Sequence, residues 1–132
     1  MTPAILEAMA AKKIAWTPTF VPVEFQYRKP QYGNWDAPTR EKLHAILDNH
    51  AHCLRLAVEY GVAVMAGSDA GSFGVRHGYG LFEELNLMRQ AGMSLEAVLA
   101  AATGVPRRHF GLPPVRLRPG GQADCVFTDA LK

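Results

Sequence analysis

Cysteine is scarce in this chain: Cys53 and Cys125 are the two in 132 residues. They stand far apart and outside any metal-type spacing, so a disulfide framework and a cysteine metal knuckle are both excluded as organising principles. Two buried thiols in a reducing cytosol are the expected state, which points to a cytoplasmic protein. Long apolar runs are also missing, and none approaches the roughly 18 residues that a bilayer-spanning helix requires. The amino-terminal Met1-Thr2-Pro3-Ala4-Ile5-Leu6-Glu7 has an early acid and no basic segment, so it does not read as a signal peptide. An excess of one charge is absent as well: 14 basic against 12 acidic residues leave +2. The densest basic groups, Lys12-Lys13, Arg107-Arg108 and Arg116/Arg118, are dispersed, and this balance gives no electrostatic case for nucleic acid or an anionic membrane. Internal repeats and low-complexity segments are not found.

What remains is a soluble globular composition, 48% hydrophobic and 20% charged, incompatible with whole-chain disorder. The length suits one domain and falls short of the roughly 250 residues of a closed eight-fold α/β barrel.

Along the chain, Ala4 to Lys13 reads as a short helix with Thr2 as cap and Pro3 at its first position. Ile14 to Val21 reads as a buried strand, interrupted by Pro18 and ended by Pro22. Glu24 to Pro38, aromatic and turn-rich, reads as a long loop. Thr39 to Tyr60 is the clearest helix, with Leu43, Ile46, Leu47, His50, Leu54, Ala57 and Val58 at three- and four-residue spacing and Gly61 as its stop. Val62 to Ala66 is continuously apolar, as a parallel strand buried on both faces would be. A Gly-rich segment, Gly67 to Gly80, leads into helices from Leu81 to Ala91 and, capped by Ser94, from Leu95 to Ala102. A helical turn follows Pro106 and ends at Gly111. Pro113-Pro114 breaks the chain, and Ala123 to Thr128 reads as a last strand. Alternation of this kind predicts an α/β protein of right-handed parallel β/α units.

The most informative stretch is Val62 to Gly80. A carboxylate, Asp69, emerges just past a buried run, flanked by Gly67, Ala70 and Gly71, and ligands gather at the carboxyl ends of strands in α/β folds. Gly-Ser-Asp is also ordinary turn chemistry, and Asp69 capping the next turn is the plain alternative. His77 lies in the same loop, where it either contacts substrate or is a solvated loop histidine. His50-Ala51-His52 has the spelling of a metal-binding pair, but residues two apart on a helix face different ways, so the two are not expected to share a ligand. Glu83 and Glu84 read as residues opening a helix and suiting its dipole, not as an acid/base pair. Trp16, Trp35, Phe20, Phe25, Tyr27 and Tyr32 are candidates for lining a pocket, with packing as the default.

Several segments, in order, resemble the C-terminal third of metal-dependent amidohydrolases, in the imidazolonepropionase-like and prolidase-like branch. They are Trp16-Thr17-Pro18-Thr19, Glu59-Tyr60-Gly61-Val62, Ala66-Gly67-Ser68-Asp69-Ala70-Gly71, His77-Gly78, Glu83-Glu84-Leu85, Ala91-Gly92-Met93-Ser94-Leu95-Glu96-Ala97, Ala101-Ala102-Thr103, and the run from Arg118 to Asp124. The resemblance implies a partial TIM-type (β/α) barrel, its last two β/α units in residues 1–112, followed by a return segment, 113–132, to a small β-sandwich-like domain.

It further implies a metal-dependent hydrolase of amide, cyclic amide or peptide-like C–N bonds in a small-molecule substrate, acting through metal-activated water. Asp69 would be both metal ligand and catalytic proton carrier, and His77 a substrate-binding residue. The cofactor would be a divalent metal, zinc by type, whose remaining ligands the resemblance places before Met1. A single carboxylate does not hold zinc, so the chain by itself is expected to be inactive. Strands cut from a barrel would expose Trp16, Phe20, Val62, Val64 and Met65 and favour self-association through their edges into a homo-oligomer. The rival reading is a non-catalytic α/β anion-binding module using the Gly67–Gly80 loop and the helix N-terminus after it.

Overall fold

The computed structural model describes residues 1–116 and 118–126. Helices dominate it: α1 (Pro3–Ala11), α2 (Val21–Arg28), α3 (Ala37–Glu59), α4 (Tyr79–Gln90), α5 (Leu95–Ala102) and α6 (Gly104–His109), with a 3₁₀ turn at Pro30–Tyr32. The long helix α3 begins two residues before its expected start, because Asp36 supplies the cap: its Oδ1 accepts from the Thr39 N–H at 2.9 Å. Ser94 caps α5 in the same way, accepting from Ala97 N–H at 3.2 Å.

The expected partial barrel is not formed. Among the described residues there is no sheet, and the two apolar runs meet in one isolated parallel bridge, Trp16 to Val64. The Trp16 N–H donates to the Ala63 carbonyl at 2.8 Å and the Met65 N–H to the Trp16 carbonyl at 2.9 Å. The ladder stops there because helix carbonyls take the neighbouring donors: Ala66 N–H bonds Ala101 at the end of α5, and Val62 N–H bonds Ala57 within α3. Backbone groups must be paired when buried, and here the helices, not further strands, pair them. Ala123 to Val126 form no strand either, and Phe127 and Thr128 lie outside the described residues.

The long loop expected over Glu24 to Pro38 is also corrected. Pro22 does not end a strand but opens α2, since proline is tolerated in a helix's first turn, where its missing N–H has no partner to lose.

The expected exposure of the two runs is reversed. Phe20, Val62 and Val64 are buried, and Trp16 is half-buried. They join Leu6, Leu54, Ala57, Leu85, Met88, Ala91, Val98 and Ala101 in one core. Helices α1, α3, α4 and α5 thus contribute to the same buried cluster as the two runs. The two cysteines are free, but Cys125 is exposed rather than buried.

Met88 has no exposed surface, whereas Ile46 on α3 is 44% exposed. Met88→Ala is expected to destabilise the fold by about 2–5 kcal/mol, and Ile46→Ala by under about 0.5 kcal/mol. Urea unfolding followed by circular dichroism checks the contrast.

Candidate functional site

Asp69 ends the Gly67-Ser68-Asp69 turn that follows the second run. Its backbone lies in the left-handed region, φ 52°, a conformation that costs a non-glycine residue energy and recurs at functional sites. Thr19, near the end of the first run, has the same conformation, φ 55°. A left-handed non-glycine residue thus stands near the end of each bridged run.

The turn is held by local bonds. The Ser72 hydroxyl donates to Asp69 Oδ2, the Ser72 N–H donates to the Asp69 carbonyl at 3.0 Å, and the Gly71 N–H donates to the Val75 carbonyl at 3.1 Å. The Asp69 residue is exposed. His77 folds back over the turn: a β-carbon placed on Gly71 would stand 3.6 Å from His77 Nε2. The two predicted site residues therefore share one turn, with Gly71 as the open floor beneath the imidazole. Arg76 leaves this turn and lies over the Tyr79 ring, 4.8 Å from its centroid.

The turn is seated on α2 through aromatic contacts. Gly74, φ 82°, approaches Phe25 so closely that a β-carbon there would lie 2.2 Å from the ring. Phe73 meets Phe25 edge-on at 5.8 Å, and Tyr32 lies tilted against the same ring at 5.8 Å. Of the aromatic candidates, Phe25 and Tyr32 thus support the site. Trp16 and Phe20 instead pack on the His50 ring, Trp35 folds over Gly33, and Tyr27 faces His44 and Arg40.

The residue that sequence reasoning missed is Glu84. It is fully buried, and its carboxylate receives the amino end of α2. The Phe20 N–H donates to Oε1 at 3.0 Å and Oε2 at 2.8 Å, and the Val21 N–H donates to Oε2 at 3.0 Å. Reading Glu84 as a helix-opening residue fails because α4 starts at Tyr79, two residues early, which moves Glu84 out of the first turn. It then falls on the buried face with Gly80, Leu85 and Met88. One sequence signal pointed to it, that spacing; the lack of a side-chain acceptor at the start of α2, whose cap position is Phe20, is seen only in the structure. Burial pushes the Glu84 carboxyl above its ordinary 4.5, against the opposing pull of the Phe20 and Val21 N–H groups.

His50 and His52 do not converge. His52 is exposed, while His50 turns inward with Nδ1 buried and unpartnered among the described residues. Burial, with the nearby terminal ammonium, lowers the His50 pKa below 6.5. Among the described residues no group of three or more His, Cys, Asp or Glu side chains is placed to hold a metal ion. At the start of α4, Gly80 is buried and its N–H is bonded to the Arg76 carbonyl at 2.9 Å.

Residues 9–132 match the amidohydrolase family, and the chain belongs to it. No curated protein and no solved structure matches the chain.

Two consequences are measurable. Gly74→Ala forces a side chain into the Phe25 ring at a positive φ, and is expected to cost about 2–4 kcal/mol; melting temperature and the Phe25 and Phe73 ring resonances report it. For Glu84, a folded pKa above the unfolded one means the folded state holds the proton more tightly. Its stabilising contribution is complete below pH 4.5 and is lost as pH rises through the elevated folded value. Measured against Glu84→Gln, which does not titrate, the wild-type chain should lose relative stability across that rise. Denaturant midpoints at a series of pH values check the sign.

Proposed function

We propose that this chain is a portion of a metal-dependent amidohydrolase of the imidazolonepropionase-like and prolidase-like branch, acting on amide, cyclic amide or peptide-like C–N bonds of a small-molecule substrate. The observation that carries the reading is the Asp69 turn: an exposed carboxylate held in the left-handed region beyond a buried run, with His77 folded over it. Family membership supplies the hydrolase class.

The family generally uses divalent metals, zinc being the type proposed here. The donors present do not complete such a site, since Asp69 and His77 are two and zinc takes three or four protein ligands or waters in a fixed geometry. Asp69 is assigned as one ligand of a larger set, and no reaction step is drawn through an ion. What the chain's own groups do is simpler. The Asp69 carboxylate, one oxygen already engaged by Ser72, has a second oxygen to accept a proton from attacking water and return it to the leaving nitrogen. The imidazole of His77, above the Gly71 floor, is a hydrogen-bonding partner for the substrate. On this reading the isolated 132-residue chain binds no ion tightly and does not turn over.

Manganese titration followed by amide NMR tests the assignment. Paramagnetic broadening should begin at residues 68–72 and 77 and vanish in Asp69→Asn, while desalted protein retains no stoichiometric metal. Broadening centred elsewhere, or unchanged in Asp69→Asn, would sink the role of Asp69. Stoichiometric zinc accompanied by hydrolysis of an N-acyl amide would overturn the inactivity of the isolated chain.

A further inference from the structure

The two densest arginine groups in the C-terminal quarter, Arg107-Arg108 and Arg116/Arg118, are separated by the Pro113-Pro114 break, and the fold brings Arg107 of the first to the same cavity as the second. After α6 the chain turns back, with the Leu112 N–H bonded to the Arg107 carbonyl at 2.8 Å. Arg107 then reaches across the turn: its Nε donates to the Pro113 carbonyl at 3.0 Å, and its Nη1 pairs with Asp124 Oδ2 at 2.6 Å. The result is a cavity of about 440 Å³ whose lining includes Arg107, Arg116, Arg118 and Gln122. None of its lining residues belongs to the 67–80 segment.

We infer that this cavity is a binding site for a dianionic phosphate, free or as the monoester of a small molecule. Charge carries the inference first. Among the described residues, three lining arginines stand against the one carboxylate of Asp124, an excess of +2, and neither Arg116 nor Arg118 forms an ion pair. A phosphate monoester carries about −1.5 to −2 near neutral pH, which matches that excess. Geometry carries it second. Arginine presents a planar fork of N–H donors that fits phosphate oxygens two at a time. Arg107 is pinned by Pro113 and Asp124, so one wall of the cavity is preorganised, while Arg116 and Arg118 are exposed and able to close on a ligand. Size carries it third: the volume falls within the roughly 300–1,000 Å³ range of small-molecule sites, leaving room for an organic group beside the phosphate. Gln122 adds a neutral carboxamide donor at the rim. This inference concerns a different surface from the Asp69 turn and stands or falls independently of the proposed hydrolase chemistry.

Calorimetric titration of the 132-residue chain at constant ionic strength near neutral pH tests it, with inorganic phosphate and phenyl phosphate as probes and acetate and chloride as controls. Phosphate or phenyl phosphate should bind in preference to both controls, and the double substitution Arg116→Gln with Arg118→Gln should weaken that binding by about tenfold or more, since two charge-assisted contacts are removed. Tighter binding of phenyl phosphate identifies the monoester as the ligand form; equal binding identifies the phosphate group alone. Both side chains are exposed, so the circular dichroism and melting temperature of the double variant should equal those of the wild type. No preference for phosphate over acetate and chloride, or an affinity unchanged in the folded double variant, overturns the inference.

Discussion

The buried carboxylate of Glu84 on the amino end of α2 is the contact from which the rest of the candidate site is hung. A helix start leaves N–H groups without intrahelical partners, and α2 has no side-chain acceptor of its own because phenylalanine occupies its cap position. Glu84 reaches over from α4 and takes the Phe20 and Val21 donors. A buried carboxylate with no partner would be far costlier than this one, which is met by oriented backbone dipoles and the positive end of a helix. The arrangement still carries a desolvation cost, seen in the elevated carboxyl pKa.

From this contact a chain of packing leads to the Asp69 turn. Fixing the amino end of α2 fixes Phe25 one turn later. Phe25 in turn receives Gly74 and Phe73, the middle of the segment that carries Asp69 and His77. Gly80 closes the circuit, since a β-carbon there would stand 2.9 Å from Val75 and 3.1 Å from the Ser68 hydroxyl. Two elements distant in sequence, α2 and α4, thereby clamp one turn from both ends. Left-handed backbone at Thr19 and Asp69 persists because its surroundings leave little alternative, which is the condition under which such strain survives.

The same economy of backbone partners explains why an amidohydrolase-family chain with two β-like runs carries no sheet among its described residues. The runs are adjacent and parallel at Trp16 and Val64, but a ladder needs successive free donors on both sides. Helix carbonyls at Ala57 and Ala101 intercept them. Burial of the runs does not require strand neighbours, because α3, α4 and α5 supply Leu54, Met88 and Val98 to the same core.

Local signals in the sequence determined a good deal of this. The three-to-four spacing of Leu43 to Val58, Ser94 before Leu95, and the glycine stops at Gly61 and Gly92 placed the main helices to within a few residues, because caps and amphipathic period are local properties. The resemblance around Ala66 to Gly71 pointed to the family, and the helical period showed that His50 and His52 face apart. Tertiary structure alone decided the remainder. Whether Val62 to Ala66 becomes a strand depends on which distant carbonyl its N–H groups meet, and apolar runs do not encode that choice. Pro22 reads equally as a strand stop or a helix start until the neighbouring donors are accounted for. The role of Glu84 exists only across an interval of more than sixty residues, between its carboxylate and the Phe20 N–H. Arg116 and Arg118 came to share a cavity with Arg107 through the reversal at Pro113. Spacing along a chain reports local geometry, and these contacts are set by where the chain returns.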